Sequence, residues 1–335
     1  MAKIRIGING MGRIGRQVLR IALERPNIEV AACNDVGDLA TTAHLLQFDS
    51  VHGKWGADVQ LKDQTLLVNK RGIAFYSTRD PLQIPWKKHN VDIVLECTGA
   101  FTTLEGASMH LSSGAKKVII SAPCKSKDIP TIVLGVNESV YDPKNHALVS
   151  LASCTTNSLA PVLKVLEQSF GIERGFITTV HAYTNDQRIL DLHHTDHRRA
   201  RAAGVNLIPT STGAAKAIGE VIPSLKGKLD GHAIRAPVAC GSITDIVCIL
   251  RRSVTRDEVN AALENASQKM KGILQYATDE LVSTDILNNP HSAIVDSKLT
   301  LAQENLIKVY SWYDNEWGYS TRMVDFAEFM AKKGL

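Results

Sequence analysis

No apolar run in this 335-residue chain approaches the ~18 residues that a membrane-spanning helix needs, so no span is expected. Aromatic residues are scarce at 5%, and none is interleaved with the densest basic run, His193 to Arg201. Lysine and arginine number 38 against 34 aspartates and glutamates, a net charge of only +4 with the signs well mixed. That balance argues against a dedicated nucleic-acid partner, which calls for a concentrated basic face. Six cysteines stand at 33, 97, 124, 154, 240 and 248, without a CxxC pair or the spacing of a small disulfide scaffold. A reducing cytoplasm fits that usage, and no metal is called for. Cys33, Cys97 and Cys248 lie in apolar strand-like runs and read as small buried hydrophobes. The first residues enter a strand directly, with no charged n-region, apolar h-region or cleavage site, so no leader is expected. There is no internal repeat, low-complexity tract or long linker. What remains is ordinary globular composition, 44% hydrophobic and 21% charged, with length enough for two domains.

Lys3 to Ile8 reads as a strand, followed at once by Gly10-Met11-Gly12-Arg13-Ile14-Gly15 and a helical run from Gln17 to Glu24. Pro26 and Asn27 end that helix, and a second strand from Ile28 to Cys33 leads to Asn34-Asp35. Three spaced glycines inside a strand–turn–helix–strand unit, with an acid about 20 residues further on, form a dinucleotide fingerprint. The glycines let backbone approach a pyrophosphate at the helix N-terminus. Asp35 is placed for the adenosine ribose hydroxyls, its bland alternative being a turn-former or helix cap.

Further strands are expected at Val91–Cys97, Lys117–Ser121, Ile132–Gly135 and Ala147–Leu151, with an antiparallel pattern over 59–76 and helices near Thr41–Phe48 and Ser108–Leu111. Asp35, Thr98 and Ser121 sit at strand ends, the edge where a doubly wound sheet binds its ligand. Arg79 beside that edge either borders an adenine or is a solvated surface residue. From Ile172 the strands lengthen and alternate without a helix between each pair, over 175–181, 233–235, 244–250 and 306–312. With helices at 214–221 and 256–271, that half reads as an antiparallel α+β domain. Tyr319 to Met330 has helical apolar spacing.

Cys154, flanked by Ser153, Thr155, Thr156 and Asn157, marks the seam between the two halves. The apolar spacing after it predicts a helix whose N-terminus favours a thiolate, although Pro161 implies a kink or a later helix start. His181, at a strand end, is available as base and ion-pair partner, or is a satisfied structural histidine.

Five segments stand in order: Ser153 to Asn157, His181 to Arg188, Arg198 to Ala203, Thr212 to Ala217 and Ser311 to Gly318. Together they resemble the phosphorylating glyceraldehyde-3-phosphate dehydrogenases, over about Lys3 to Met330. The resemblance implies a Rossmann-type, doubly wound α/β domain for NAD, residues 1–152 joined by 317–335. It implies a catalytic α+β antiparallel-sheet domain over 153–316, and a homotetramer. It also implies a reaction. Cys154 attacks the aldehyde of glyceraldehyde 3-phosphate, His181 takes the hydroxyl proton, a hydride leaves to NAD, and inorganic phosphate cleaves the resulting thioester.

By the same resemblance Thr184 and Arg235 hold the substrate's phosphate, and Ser153, Thr155, Thr212 and Gly213 hold the attacking one, with Arg199 a weaker candidate. Hydroxyls and N–H groups suit a phosphate that must turn over. Thr212-Gly213 also reads as an ordinary helix N-cap, and both readings can hold. Asn315 resembles the residue that bonds the nicotinamide carboxamide; Arg13, Ile14, Asp35, Arg79 and Ser121 resemble the other cofactor contacts, beside Gly10, Gly12 and Gly15. The basic run at 193–201 is expected to be a loop folding beneath a neighbouring subunit's cofactor rather than a polyanion site.

Three positions depart from the pattern: Met11 for the usual Phe, Leu151 for Asn, and Ser158 for a second Cys. None touches the expected chemistry. His193 stands where strictly NAD-dependent members carry Pro after Leu192, which leaves some NADP use open, although the Asp35 carboxylate would repel a 2′-phosphate. The nearest rival is erythrose-4-phosphate dehydrogenase, suggested faintly by Asn289 to Asp296 and Trp317. The runs after His181 and at Ser211 to Lys216 favour the glyceraldehyde enzyme. A non-catalytic RNA- or protein-binding chain on the same scaffold is the reading from another class.

Overall fold

The computed structural model describes residues 3–335, which fall into two compact units. The first comprises residues up to Ile132, Ser139–Ala152 and Ser320–Leu335; the second comprises Val133–Glu138 and Ser153–Tyr319.

In the first unit the strands and helices run β1 (Ile4–Asn9), α1 (Arg13–Leu23), β2 (Ile28–Asn34), α2 (Leu39–Gln47), β3 (Val59–Lys62), β4 (Thr65–Val68), β5 (Arg71–Tyr76), β6 (Ile93–Glu96), α3 (Leu104–Ser112), β7 (Lys117–Ile120) and β8 (Leu148–Ser150). They form one sheet in the order β3-β4-β5-β2-β1-β6-β7-β8. From β5 to β8 every pairing is parallel, while β3, β4 and β5 form an antiparallel meander. The order reverses at β1 and β6, so their carboxyl ends frame the crevice in which sheets of this topology bind ligands. Burial explains the strand sequences: every residue of β6 and β7 is buried, as a sheet covered on both faces demands. Trp86, fully buried, packs with Ala32, Val94, Val118 and Ile120 at the centre of one face.

The expected strand at Ile132–Gly135 does not form. Only Thr131 bridges to Ser150, and Val133 then turns into the core of the second unit, where apolar burial outweighs its β-propensity.

The second unit follows as α4 (Cys154–Phe170), β9 (Ile172–Ala182), β10 (Ile208–Ser211), α5 (Ala214–Val221), β11 (Leu229–Ala236), β12 (Ser242–Leu250), α6 (Arg256–Lys269), β13 (Leu274–Ala277), β14 (Ala293–Asp296), β15 (Leu301–Gln303), β16 (Leu306–Tyr313) and the start of α7 (Trp317–Lys333). Its sheet has the order β10-β11-β9-β12-β16-β14-β13, with β15 on β16. The sheet is mixed rather than purely antiparallel, because β11 runs parallel to β9 and β13 parallel to β14. Alternation is clean in β12, where every second residue from Ser242 to Leu250 is buried. Those inward residues meet the apolar face of α4, with Leu159, Val162, Leu163 and Leu166 fully buried. Pro161 does not delay this helix, which begins at Cys154 and continues through it. Among the described residues no helix is long and apolar enough to cross a membrane.

Candidate active site

The crevice of the first unit is a cavity of about 420 Å³ walled by the ends of β1, β2 and β6, the loops after them and the loop after β5. Its glycines divide the work. Gly10 has φ +93°, and a Cβ there would come within 2.8 Å of Thr98; one on Gly15 would lie 1.8 Å from the Gly10 carbonyl. Gly12 is different, since a Cβ there would meet nothing within 4 Å, so its side faces open space. The first two fix turn and helix packing, and the third leaves room for a ligand beside the first turn of α1.

Asp35 is half-buried, accepting the Met11 N–H at 2.5 Å and the Gly37 N–H at 2.7 Å. The N-cap of α2 is Asp38, so Asp35 does not serve there. Arg79 is exposed at the cavity rim. Arg13 turns its guanidinium to Asp49, at 2.6 and 3.1 Å, and neither Arg13 nor Ile14 is part of the cavity wall. Burial works against the Asp49 charge, but Arg13 and the His52 and Val51 N–H groups outweigh it and hold the carboxyl down at about 2. Ser121 follows β7 and donates its N–H to the Glu96 carbonyl at 3.0 Å; it is not part of the cavity wall.

In the second unit Ser153 caps α4, accepting the Thr156 N–H at 3.1 Å, and so places Cys154 as the first helical residue. Cys154 Sγ lies 3.4 Å from His181 Nε2. His181 is buried near the end of β9, its Nδ1 2.7 Å from the Ala182 carbonyl. That carbonyl can only accept and favours the proton on Nδ1, whereas the Arg235 guanidinium beside the same nitrogen can only donate, so the two contacts call for opposite tautomers. Arg235, on the neighbouring β11, donates Nη1–H to the same carbonyl at 3.0 Å and sits 2.7 Å from Nδ1. Burial first, and Arg235 next, hold the imidazole down to about 3. Burial likewise pushes the Cys154 thiol up, against the pull of Arg235 and of hydrogen bonds from Thr155. At neutral pH the pair is therefore thiol and free imidazole, a nucleophile with an uncharged base beside it.

The anion-binding candidates divide by orientation. Thr155 turns its hydroxyl inward to Tyr313, at 2.9 Å, and Thr179 meets the same phenol at 2.8 Å. The Thr155 side chain thus supports the start of α4. Thr212 accepts the Ala214 N–H at 3.2 Å and opens α5, while a Cβ on Gly213 would meet open space. Thr184 is half-buried and closes a turn with Gln187. The Arg235 Nε and Gln187 Nε2 are buried without a partner, as donors awaiting an acceptor would be. Arg199 is committed instead: it binds Asp186 at 2.6 Å, Thr210 at 2.9 Å and the Ser211 carbonyl at 3.3 Å. Asn315 is buried, and its carbonyl oxygen accepts from Ser242 Oγ at 2.8 Å and the Gly241 N–H at 3.2 Å, which fixes its amide nitrogen as the outward donor.

Two features escaped sequence reasoning. One is the Tyr313 hydroxyl clamp, hidden in a strand whose alternation signals only burial. The other is a fully buried polar cluster below the cavity, in which Asn9, Asn34, Glu96 and His110 are at most 3% exposed. A glutamate closing an otherwise apolar strand was its one visible sign. Cys97, expected in the core, is half-buried and lines the cavity, because β6 ends one residue before it.

Residues 4–104 match the family described as glyceraldehyde 3-phosphate dehydrogenase, NAD binding domain, and residues 153–315 match its C-terminal domain. The chain is 55% identical over 334 residues to the glyceraldehyde-3-phosphate dehydrogenase of Streptomyces coelicolor, covering 98% of this chain and 99% of the relative. It is 55% identical to glyceraldehyde-3-phosphate dehydrogenase 1 of Bacillus subtilis and 54% to the enzyme of Geobacillus stearothermophilus, with 99% of each chain covered in both cases.

Proposed function

This chain belongs to the glyceraldehyde-3-phosphate dehydrogenase family, and we propose that it oxidises D-glyceraldehyde 3-phosphate with NAD and inorganic phosphate to 1,3-bisphosphoglycerate. The observation that carries the chemistry is Cys154 at a helix start with His181 Nε2 3.4 Å from its sulfur.

Cys154 passes its proton by way of His181 to the aldehyde oxygen as its sulfur bonds to the aldehyde carbon, which forms the thiohemiacetal and leaves the imidazole neutral again, and the first turn of α4 favours the charge that develops. His181 then takes the hydroxyl proton of the thiohemiacetal, a role that suits a group kept neutral at pH 7. Bound NAD supplies the acceptor for the departing hydride, which leaves a thioester on Cys154. Phosphate oxygen adds to the thioester carbonyl, the C–S bond breaks, and the acyl phosphate leaves with the Cys154 sulfur regenerated. Arg235, with its unpartnered Nε, and Thr184 hold the substrate's phosphate. The backbone at 153–155, Thr212 and the open Gly213 receive the attacking phosphate. Thr155 Oγ1, which also meets Tyr313, joins them on the same side, and Arg199, braced by Asp186, is the weaker candidate there.

The residues of the first unit fit NAD. Gly12 leaves space at a helix N-terminus, Asp35 offers a carboxylate held for two ribose hydroxyls, and Arg79 stands at the rim. Asn315 donates to the nicotinamide amide. On this reading NAD binding belongs to 1–152 with 317–335 and catalysis to 153–316, whereas the compact units put Val133–Glu138 and the residues up to Tyr319 with the second. His193 is exposed, so its replacement of proline leaves room for partial NADP use. A homotetramer is supported by bulky apolar side chains left bare on the second unit, among them Ile189 at 90%, Val205 at 80% and Phe176 at 71% exposed. Six free cysteines support a cytoplasmic setting.

The test is NAD reduction by purified protein with glyceraldehyde 3-phosphate, with and without phosphate, against erythrose 4-phosphate as competing aldehyde. Turnover dependent on phosphate is expected, and Cys154→Ala should abolish it. Absence of turnover in the folded, NAD-loaded wild type would sink the enzymatic reading, and a higher kcat/KM for erythrose 4-phosphate would sink the substrate.

A further inference from the structure

We propose that Glu96 and His110 are positioning residues for the nucleotide site: through Asn9, Asn34 and Thr98 they set the walls of the cavity, and so the affinity for NAD. The inference rests on the cofactor reading above. Glu96 closes β6 with a side chain that is fully buried, the most costly place for a carboxylate. It accepts from Asn9 Nδ2 at 2.6 Å, from the Thr98 N–H at 2.8 Å and from the Thr98 hydroxyl, and its Oε2 is 2.9 Å from His110 Nε2. Trp86 donates its indole N–H to His110 Nδ1 at 3.1 Å, which fixes the tautomer and makes Nε2–H the donor to Glu96. The carboxylate thus receives four hydrogen bonds, as a buried acceptor requires.

From this centre the bonds run outward to the cavity. Asn9 Oδ1 accepts Asn34 Nδ2 at 2.8 Å, and the Asn34 amide pairs with the Thr78 backbone, donating to its carbonyl at 3.0 Å and accepting its N–H at 3.1 Å. Asn9, Asn34, Thr78 and Thr98 all line the cavity. Thr98 is also the residue against which Gly10 turns, since a Cβ on Gly10 would meet it at 2.8 Å. On its other side His110 receives Phe101, another wall residue, edge to face at a centroid distance of 5.9 Å. One buried carboxylate and one imidazole therefore register three strand ends, β1, β2 and β6, and the loops that follow β5 and β6. Apolar residues would fill the same volume at less cost, as in Ile93, Val94 and Leu95 just before Glu96. What they would lose is the fixed register of the walls.

The experiment titrates NAD into full-length protein by calorimetry, with melting temperature, kcat and both KM values measured alongside, for wild type, Glu96→Gln, His110→Gln and His110→Leu. Glu96→Gln and His110→Leu should raise the NAD Kd and KM at least about tenfold, the scale of a lost hydrogen bond to a charged group. Their kcat and KM for the aldehyde should stay within about threefold, because only ground-state cofactor binding is affected. His110→Gln keeps a donor at the Nε2 position and should recover most of the affinity. Where Glu96→Gln fails to fold, the two His110 variants decide. A fall in melting temperature with NAD Kd unchanged in every folded variant would overturn the proposal, whereas a wild type that does not bind NAD would overturn the cofactor reading instead.

Discussion

The two candidate centres of this molecule are built on opposite principles. In the first unit the site is mostly backbone: three glycines, a helix N-terminus, and an aspartate already holding two N–H groups. In the second, chemistry falls to side chains that converge from α4, β9 and β11, with Cys154, His181 and Arg235 brought together from positions 27 and 54 residues apart. The first centre pairs its charge, since Arg13 keeps Asp49 ionised to about pH 2. The second suppresses it, because burial holds His181 near 3 and keeps the Cys154 thiol protonated. A site that binds a cofactor is served by fixed partners, whereas a site that moves protons is served by groups left neutral.

The largest effect should come from breaking that neutrality. His181→Asn removes the acceptor and should lower kcat by about 10³-fold, within the range for a positioned general base, while NAD Kd stays put. The same change should alter acid stability. A histidine whose folded value lies near 3, below an unfolded value of ~6.5, takes up its proton only on unfolding between those values. Stability is then complete above pH ~6.5 and is lost as pH falls toward 3. The amide that replaces the imidazole cannot titrate, so denaturation midpoints measured from pH 7 to 4 should flatten in the variant. Parallel curves would mean that His181 is not held neutral.

Legibility in the sequence followed the same division. The fingerprint at Gly10 to Gly15 with Asp35 is local, and the strand–turn–helix context that makes it specific is local too, so its geometry could be anticipated. Cys154 at a helix start was also readable, although Pro161 suggested a later beginning that the helix does not show. Side-chain direction was not readable. Nothing in Thr155 says that its hydroxyl turns in to Tyr313, 158 residues away, and nothing in Arg199 says that Asp186 claims it. The buried Glu96–His110 pair was invisible for the same reason, because polar residues that satisfy one another need long-range contacts to be seen as partners. The strand predicted at Ile132–Gly135 failed where apolar content serves packing between a loop and α4 rather than a ladder.

A smaller effect sharpens the paired-charge side of the comparison. Asp49 has a folded value near 2 against ~3.9 unfolded, a difference of about 2.6 kcal/mol in favour of the folded chain at neutral pH. Because the folded value is the lower one, that contribution is present above pH ~4 and fades as pH falls toward 2. Asp49→Asn should therefore lower stability at pH 7 by about 2.6 kcal/mol and leave the acid limb shallower, read by urea midpoints at pH 7 and 3. An equal loss at both pH values would show that the substituted amide merely packs badly and that the Arg13 pair is not the cause.

The smallest effect asks whether the carboxylate that holds backbone in the first unit also chooses the cofactor. Asp35 spends one oxygen on Met11 N–H and the other on Gly37 N–H, so part of its role is to shape the turn after β2. A serine there keeps one acceptor for the turn and removes the charge. If Asp35 acts on ligand, Asp35→Ser should weaken NAD about tenfold, the scale of one charged hydrogen bond, and strengthen NADP relative to NAD, because the repulsion toward a 2′-phosphate is gone. If it acts on the turn alone, both nucleotides should weaken together and their ratio should not move. The ratio of kcat/KM for NAD and NADP separates these outcomes, and a His193→Pro variant measured in parallel shows whether the second position carries any of the selectivity. A ratio unchanged in Asp35→Ser would make Asp35 structural despite its place in the most readable motif of the chain, and selectivity would rest on side chains that only the fold assembles.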